Sequence, residues 1–115
     1  MTQVEFKFKS YFNEANQEGF IVIPPTHREI PIPNNGKQAS VFLKPNERLY
    51  IIVRQDGRIK KLGSDFDIRI SPPPNGLNYK LTKKTDKYEI KLESNVFNQS
   101  TNVTVGVGTS GSVLL

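Results

Sequence analysis

Apolar residues recur at every second position through most of this chain, which is the period of a half-buried β-strand. Near the N-terminus Val4, Phe6, Phe8, Ser10 and Phe12 share one parity, and Glu5, Lys7 and Lys9 take the other. A helix would scatter those phenylalanines around its circumference. The strongest signal is Phe66 to Leu92, three alternating runs separated by the turn signals SPPPNG and TKKTD. There Phe66, Ile68 and Ile70 oppose Asp67 and Arg69. Leu77, Tyr79 and Leu81 oppose Asn78, Lys80 and Thr82, and Tyr88, Ile90 and Leu92 oppose Glu89, Lys91 and Glu93. A one-residue slip would turn each set to solvent, so the parity specifies register as well as face.

The remaining segments read as shorter strands and turns. NEANQEG, Asn13 to Gly19, breaks the first pattern and ends in a glycine suited to turning the chain. FIVI, Phe20 to Ile23, is a short buried strand or a strand crossing between sheets, stopped by Pro24 and Pro25, which cannot donate to a ladder. The prolines of EIPIP, Glu29 to Pro33, mark an edge strand, and NNG, Asn34 to Gly36, a turn. Ala39 to Leu43 and Leu49 to Val53 are strands joined by KPNE, with Pro45 and Asn46 suited to a turn. LYIIV lacks polar alternation and reads as a strand buried on both faces or in the middle of a sheet. Asp56-Gly57 predicts a two-residue hairpin because both positions need positive φ, with Ile59 to Leu62 returning as a short strand. Asn102 to Val107 alternates Val103, Val105 and Val107; GTSGS is a turn and Val113 to Leu115 a short strand or tail.

About nine or ten short strands at intervals of roughly 8–12 residues, with no helix and no internal repeat, predict an all-β fold. The expected architecture is a two-sheet antiparallel β-sandwich spanning residues 1–115 as one domain, immunoglobulin-like or jelly-roll in topology. In TDKYEIKL, Tyr88 stands two residues after Asp86 and two before Ile90, which resembles the tyrosine corner of the immunoglobulin-like sandwich. Tyr88 reads equally well as an ordinary core aromatic. LYIIVRQDGRIKKLG is similar to a third strand turning back into a fourth, and NVTVGVGT resembles the last strand of that fold. The resemblance implies that this last strand pairs with the tyrosine strand. The cysteines and tryptophan of antibody domains are missing, so a bacterial or viral type without the disulfide fits better.

Composition narrows the classes of function. With 115 residues the chain is long enough for a two-layer core, and without cysteine it has no disulfide, thiolate ligand or cysteine nucleophile. MTQVEFKFKS lacks the apolar core of a secretory signal, and no run approaches the roughly 18 apolar residues of a membrane span. Location is left open: the composition is compatible with surface or virion association, and no membrane partner is expected. The net charge is +5, and its excess lies in residues 58–91, where nine Lys/Arg face four acids. Lys60, Lys61, Lys80, Lys83, Lys84, Lys87 and Lys91 form a candidate basic partner face, which also serves as a solvated face that discourages edge pairing.

Candidate chemistry is sparse. His27 is the only histidine, in a proline-flanked loop without an orienting partner. The acids Glu14, Glu18, Asp65, Asp67 and Asp86 are scattered, and Asp65 with Asp67 lack a third ligand for calcium. Ser110 in GTSGS lacks the helix of a nucleophile elbow, and GVGTSG lacks the lysine of a phosphate loop. No catalytic residue, metal or cofactor is expected. Tyr79 and Tyr88 share the core parity and are unsuited to stacking on bases. Tyr11, Phe12 and Phe97 are the candidate carbohydrate platforms, Phe97 with Asn98 being the candidate loop contacts. Asn98 and Asn102 head acceptor sequons. The function expected first is a non-enzymatic interaction module, either a structural component of a surface or virion assembly or an adhesion domain, with a protein partner or self-association. The alternative is a carbohydrate-binding module, and the second alternative is nucleic-acid or acidic-partner binding through the basic face.

Overall fold

The computed structural model describes residues 3–12, 16–33, 37–62, 66–71, 78–94 and 99–107. Ten strands occupy most of them: β1 (Val4–Tyr11), β2 (Gln17–Ile23), β3 (Arg28–Ile32), β4 (Ala39–Leu43), β5 (Arg48–Gln55), β6 (Arg58–Ile59), β7 (Phe66–Ser71), β8 (Asn78–Lys83), β9 (Tyr88–Ser94) and β10 (Gln99–Val107). They form two sheets. One runs β4-β1-β10-β7; the other runs β3-β2-β5-β9-β8, with β6 attached to β5. All pairings are antiparallel except β1 with β10, which is parallel.

The inner faces follow the parity of the sequence. Phe6 stands between Val41 and Thr101 in register, and Phe8 between Ala39 and Val103, and among the described residues these two are the largest fully buried side chains of the four-stranded sheet. Their rings lie 6.4 Å apart, tilted by 32°. From the six-stranded sheet Ile21, Leu49, Ile51, Val53, Tyr88, Ile90 and Leu92 complete the same buried cluster. Ser10 shares this parity and is buried, and its hydroxyl donates to the Pro33 carbonyl at 3.0 Å. That bond ties the end of β1 to the end of β3 in the opposite sheet and satisfies a polar group that burial would otherwise penalise.

Two turns keep the expected chemistry. Arg54 pairs with Ile59 and Gln55 with Arg58, leaving Asp56 and Gly57 as the hairpin loop with φ of 53° and 78°. In KPNE the Glu47 N–H donates to the Lys44 carbonyl at 3.0 Å and Asn46 has φ 73°, a turn with proline leading and positive φ following. This tight turn joins strands of different sheets. It is clipped to β9 by Asn46 N–H to Leu92 O at 2.7 Å and Leu92 N–H to Glu47 O at 2.9 Å.

Four expectations change. The last strand, β10, pairs with β1 and β7, whereas the tyrosine strand β9 lies between β5 and β8 in the other sheet. Alternation fixes which side of β10 is buried and leaves its neighbour open, so the pairing with β1 and β7 is set by register between distant segments. Gly19 lies inside β2, buried, and does not turn the chain; an added Cβ would sit 3.3 Å from Ile32 Cδ1 and from the Phe12 ring. Leu81 keeps its inward parity opposite Ile90 but is 37% exposed, because β8 is an edge with no neighbour beyond it among the described residues. The strand after the hairpin is only Arg58–Ile59, with Ile59 exposed and Leu62 buried beyond its end. The expectations placed on 13–15, 34–36, 63–65, 72–77, 95–98 and 108–115, and on the side chains of Phe66 and Ile70, lie outside the described residues.

Ile90 is fully buried, so Ile90→Asp places an unpaired charge in the core and is expected to abolish the cooperative thermal transition seen by circular dichroism. A Gly19→Val variant overpacks β2 against Ile32 and Phe12 and is expected to lose about 1–3 kcal/mol in chemical denaturation.

Candidate functional site

The six-stranded sheet differs from its partner in being apolar on both faces at its centre. In β2 and β5 the runs FIVI and LYIIV put Phe20, Val22, Tyr50 and Ile52 on the side away from the core. Phe20 pairs with Ile52 and Val22 with Tyr50, and Val22 and Ile52 are buried although they face outward. Cations cover the two rings. The Arg54 guanidinium lies 4.8 Å from the Phe20 ring centre, Lys87 Nζ lies 4.7 Å from that of Tyr50, and Lys84 Nζ 6.0 Å. Such contacts hold long side chains over an apolar surface while their charged ends stay in water.

Arg54 is fixed from two sides. Its Nη1 and Nη2 donate to Glu29 Oε1 and Oε2 at 2.6 and 2.7 Å, a forked pair between β5 and β3. The hydrogen bonds from Arg54 hold the Glu29 carboxyl below its ordinary range, and the same bonds raise Arg54. Nearer β9, Arg48 Nη1 donates to Glu89 Oε2 at 3.2 Å.

The structure divides the basic residues noted in the sequence. Lys80 and Lys91 are direct cross-strand neighbours on the outward face, and Lys91 pairs in turn with Arg48. Lys84 and Lys87 join them at the β8–β9 turn. Lys83 belongs to the other parity, opposite Tyr88, with its Nζ 5.7 Å from that ring. Lys60 and Lys61 follow β6, in a segment anchored by Lys60 N–H to Val53 O and Leu62 N–H to Thr85 O. The basic residues therefore do not form one face.

Among the aromatic candidates, Phe12 packs against the core and is not an exposed platform. Only the backbone of Tyr11 is described, and Phe97 with Asn98 lies outside the described residues. Tyr88 is buried and Tyr79 half-buried. Asn102 is exposed and its Oδ1 accepts from Gln38 Nε2 at 3.4 Å. His27 sits in the turn between β2 and β3, exposed, with φ 60°. Glu18 and Asp86 are exposed on separate elements. Among the described residues no group of three or more His, Cys, Asp or Glu could hold a metal ion, and no helix is long and apolar enough to cross a membrane.

A groove of about 600 Å³ opens on the side of the sandwich where β3 and β4 end their sheets. Ser40, Val41, Phe42 and Leu43 form one wall, with Ile23 and Ile30 across from them. Consecutive residues of a strand point to opposite faces, so a wall made of four in a row is the strand's edge, with its backbone groups. Phe42 is 53% exposed there. The outward aromatic pair and this groove were not read from the sequence. Their signal lay in FIVI, LYIIV and ASVFL, where apolar residues occupy both parities.

In wild type, Glu29 is ionised at neutral pH and favoured by Arg54, so the pair contributes above the ordinary carboxylate range and fades as pH falls through the lowered value. Glu29→Gln is expected to reduce the melting temperature at pH 7 and to leave it unchanged in acid, where protonated Glu29 is as uncharged as the glutamine that replaces it.

No protein-family model matches the chain, and no curated protein matches it in sequence. Among solved structures it is similar to a bacterial adhesin from Mobiluncus mulieris containing intramolecular disulfide, isopeptide and ester bond cross-links. In space group P1 the TM-score is 0.55 at 10% identity, over 90% of this chain and 40% of the adhesin chain. In space group P21 it is 0.47 at 9% identity, over 91% and 41%. The chain thus spans about two fifths of the adhesin chain. The P1 likeness is one of fold, and with the two-sheet topology it shows the chain to be a two-sheet β-sandwich.

Proposed function

We propose that this chain is a non-enzymatic interaction module of a surface-associated or adhesive assembly, and that it associates with a second copy of itself by pairing along β4. The supporting observation is the groove bounded by the β4 edge. Edge strands are usually blunted by charge, proline or a bulge. Among the described residues three of the four sheet edges follow that rule: β3 contains Pro31 and Glu29, β8 contains Lys80 and Lys83, and β7 contains Asp67 and Arg69. β4, ASVFL, has neither charge nor proline.

Antiparallel pairing about Val41 would set Phe42 against Ser40 of the second copy and Ala39 against its Leu43. No like charges would meet along the shared edge, and two four-stranded sheets would become one. The likeness in fold to part of an adhesin supports the surface-associated setting.

Light scattering across a concentration series is expected to show a dimer whose affinity rises with salt, since each copy carries +5. Phe42→Lys is expected to weaken it by about tenfold or more. Its melting temperature should hold, because Phe42 is already exposed. A wild-type protein that stays monomeric at every concentration and salt would sink the reading.

A further inference from the structure

Arg48, Lys91 and Lys80 form a row across β5, β9 and β8 on the outward face of the six-stranded sheet, each directly opposite the next. Cross-strand neighbours sit about 4.5–5.5 Å apart at Cβ, and like charges in that relation destabilise a sheet. Glu89 relieves Arg48, but Lys80 and Lys91 form no ion pair with a described residue. The next row is Tyr50, Glu89 and Thr82, and beyond it Lys87 and Lys84 lie over the Tyr50 ring. Five cations therefore surround one tyrosine and one carboxylate, with Asp86 in the turn at one end and Glu93 at the other.

We propose that the outward face of β5, β9 and β8 binds an acidic polysaccharide, with Arg48, Lys80, Lys84, Lys87 and Lys91 meeting its sulfate or carboxylate groups. Folding alone does not favour three cations in register; an anionic ligand removes that repulsion. The Tyr50 ring holds Lys84 and Lys87 in place before binding, which lowers the entropy lost when a ligand orders them. Two features favour a glycan over a single-stranded nucleic acid. A base needs a free ring face on which to stack, and that of Tyr50 is covered by lysines. Glu89, inside the patch, repels a continuous phosphate backbone but accepts hydrogen bonds from sugar hydroxyls.

Binding to immobilised heparin, measured against sodium chloride concentration, tests the assignment. The double variant Lys80→Gln, Lys91→Gln is expected to bind about tenfold or more weakly, with a salt slope lower by about two. Tyr50→Leu keeps every charge; it should weaken binding several-fold while the slope is unchanged. The control Lys60→Gln, Lys61→Gln removes two cations away from this face and should change affinity less than twofold. Equal losses in the control and the Lys80, Lys91 variant would reduce the effect to net charge and overturn the site. So would tighter binding of an oligo(dT) strand than of heparin, or heparin binding unaffected by Tyr50→Leu in a protein with a normal melting curve. A protein that binds no heparin at low salt overturns it outright. Affinity here falls with salt, whereas pairing along β4 rises with it, so the two readings fail independently.

Discussion

Everything in this molecule depends on two sheets burying one face each against the other. Phe6 and Phe8 from β1 meet Ile51, Ile90 and their neighbours in a single cluster, and the side-chain period of two ties that burial to register. If β1 slipped by one residue against β10 and β4, it would put Glu5, Lys7 and Lys9 into the core. Burying those charges unpaired costs far more than any edge contact returns, so the register is held wherever the parity is strict. The outward face of the other sheet inherits that precision. The cation row exists only because Leu49 and Ile90 are locked inward on the same strands.

The two sheets solve the problem of their outer surfaces differently. β1 alternates cleanly, and solvent covers its charged side. β2 and β5 are apolar on both sides, so their outer surface needs a cover, and long cationic side chains supply it. Arg54 lies over Phe20 and Lys87 over Tyr50, with Glu29 and Glu89 fixing arginines nearby. Individually such exposed contacts are weak. Together they convert an apolar strip into an ordered charged surface, which links the stability of the sheet to what the sheet can bind.

Closure at the sheet ends is equally uneven. Ser10 bonds across the sheets to Pro33, and Gly19 lets Phe12 and Ile32 close over β2 where a side chain would push them apart. The β4–β5 turn is pinned to β9 by two backbone hydrogen bonds. Between these closures the edge of β4 is left facing a groove. Among the described residues three sheet edges carry charge or proline and the β4 edge carries neither, which gives the sandwich a direction in which it can be extended.

The alternating residues by themselves determined most of the strands, the core parity of β1, β9 and β10, the Asp56-Gly57 hairpin and the edge character of β3. These are local: a period of two, a proline that cannot donate, a pair of residues that tolerates positive φ. Sheet membership was decided only by tertiary structure, because parity says which side of a strand is buried and nothing about its neighbour. Hence β10 lies beside β1, away from Tyr88, and the tight turn at Pro45 joins two sheets. The same limit applies to surfaces. The charge count over 58–91 located a basic region, but the pairings Arg48–Lys91 and Lys91–Lys80 depend on register between distant segments. Tyr50 and Phe42 were legible only as apolar residues on the wrong parity, and it took the packed sheets to show that one lies beneath lysines and the other at an open edge.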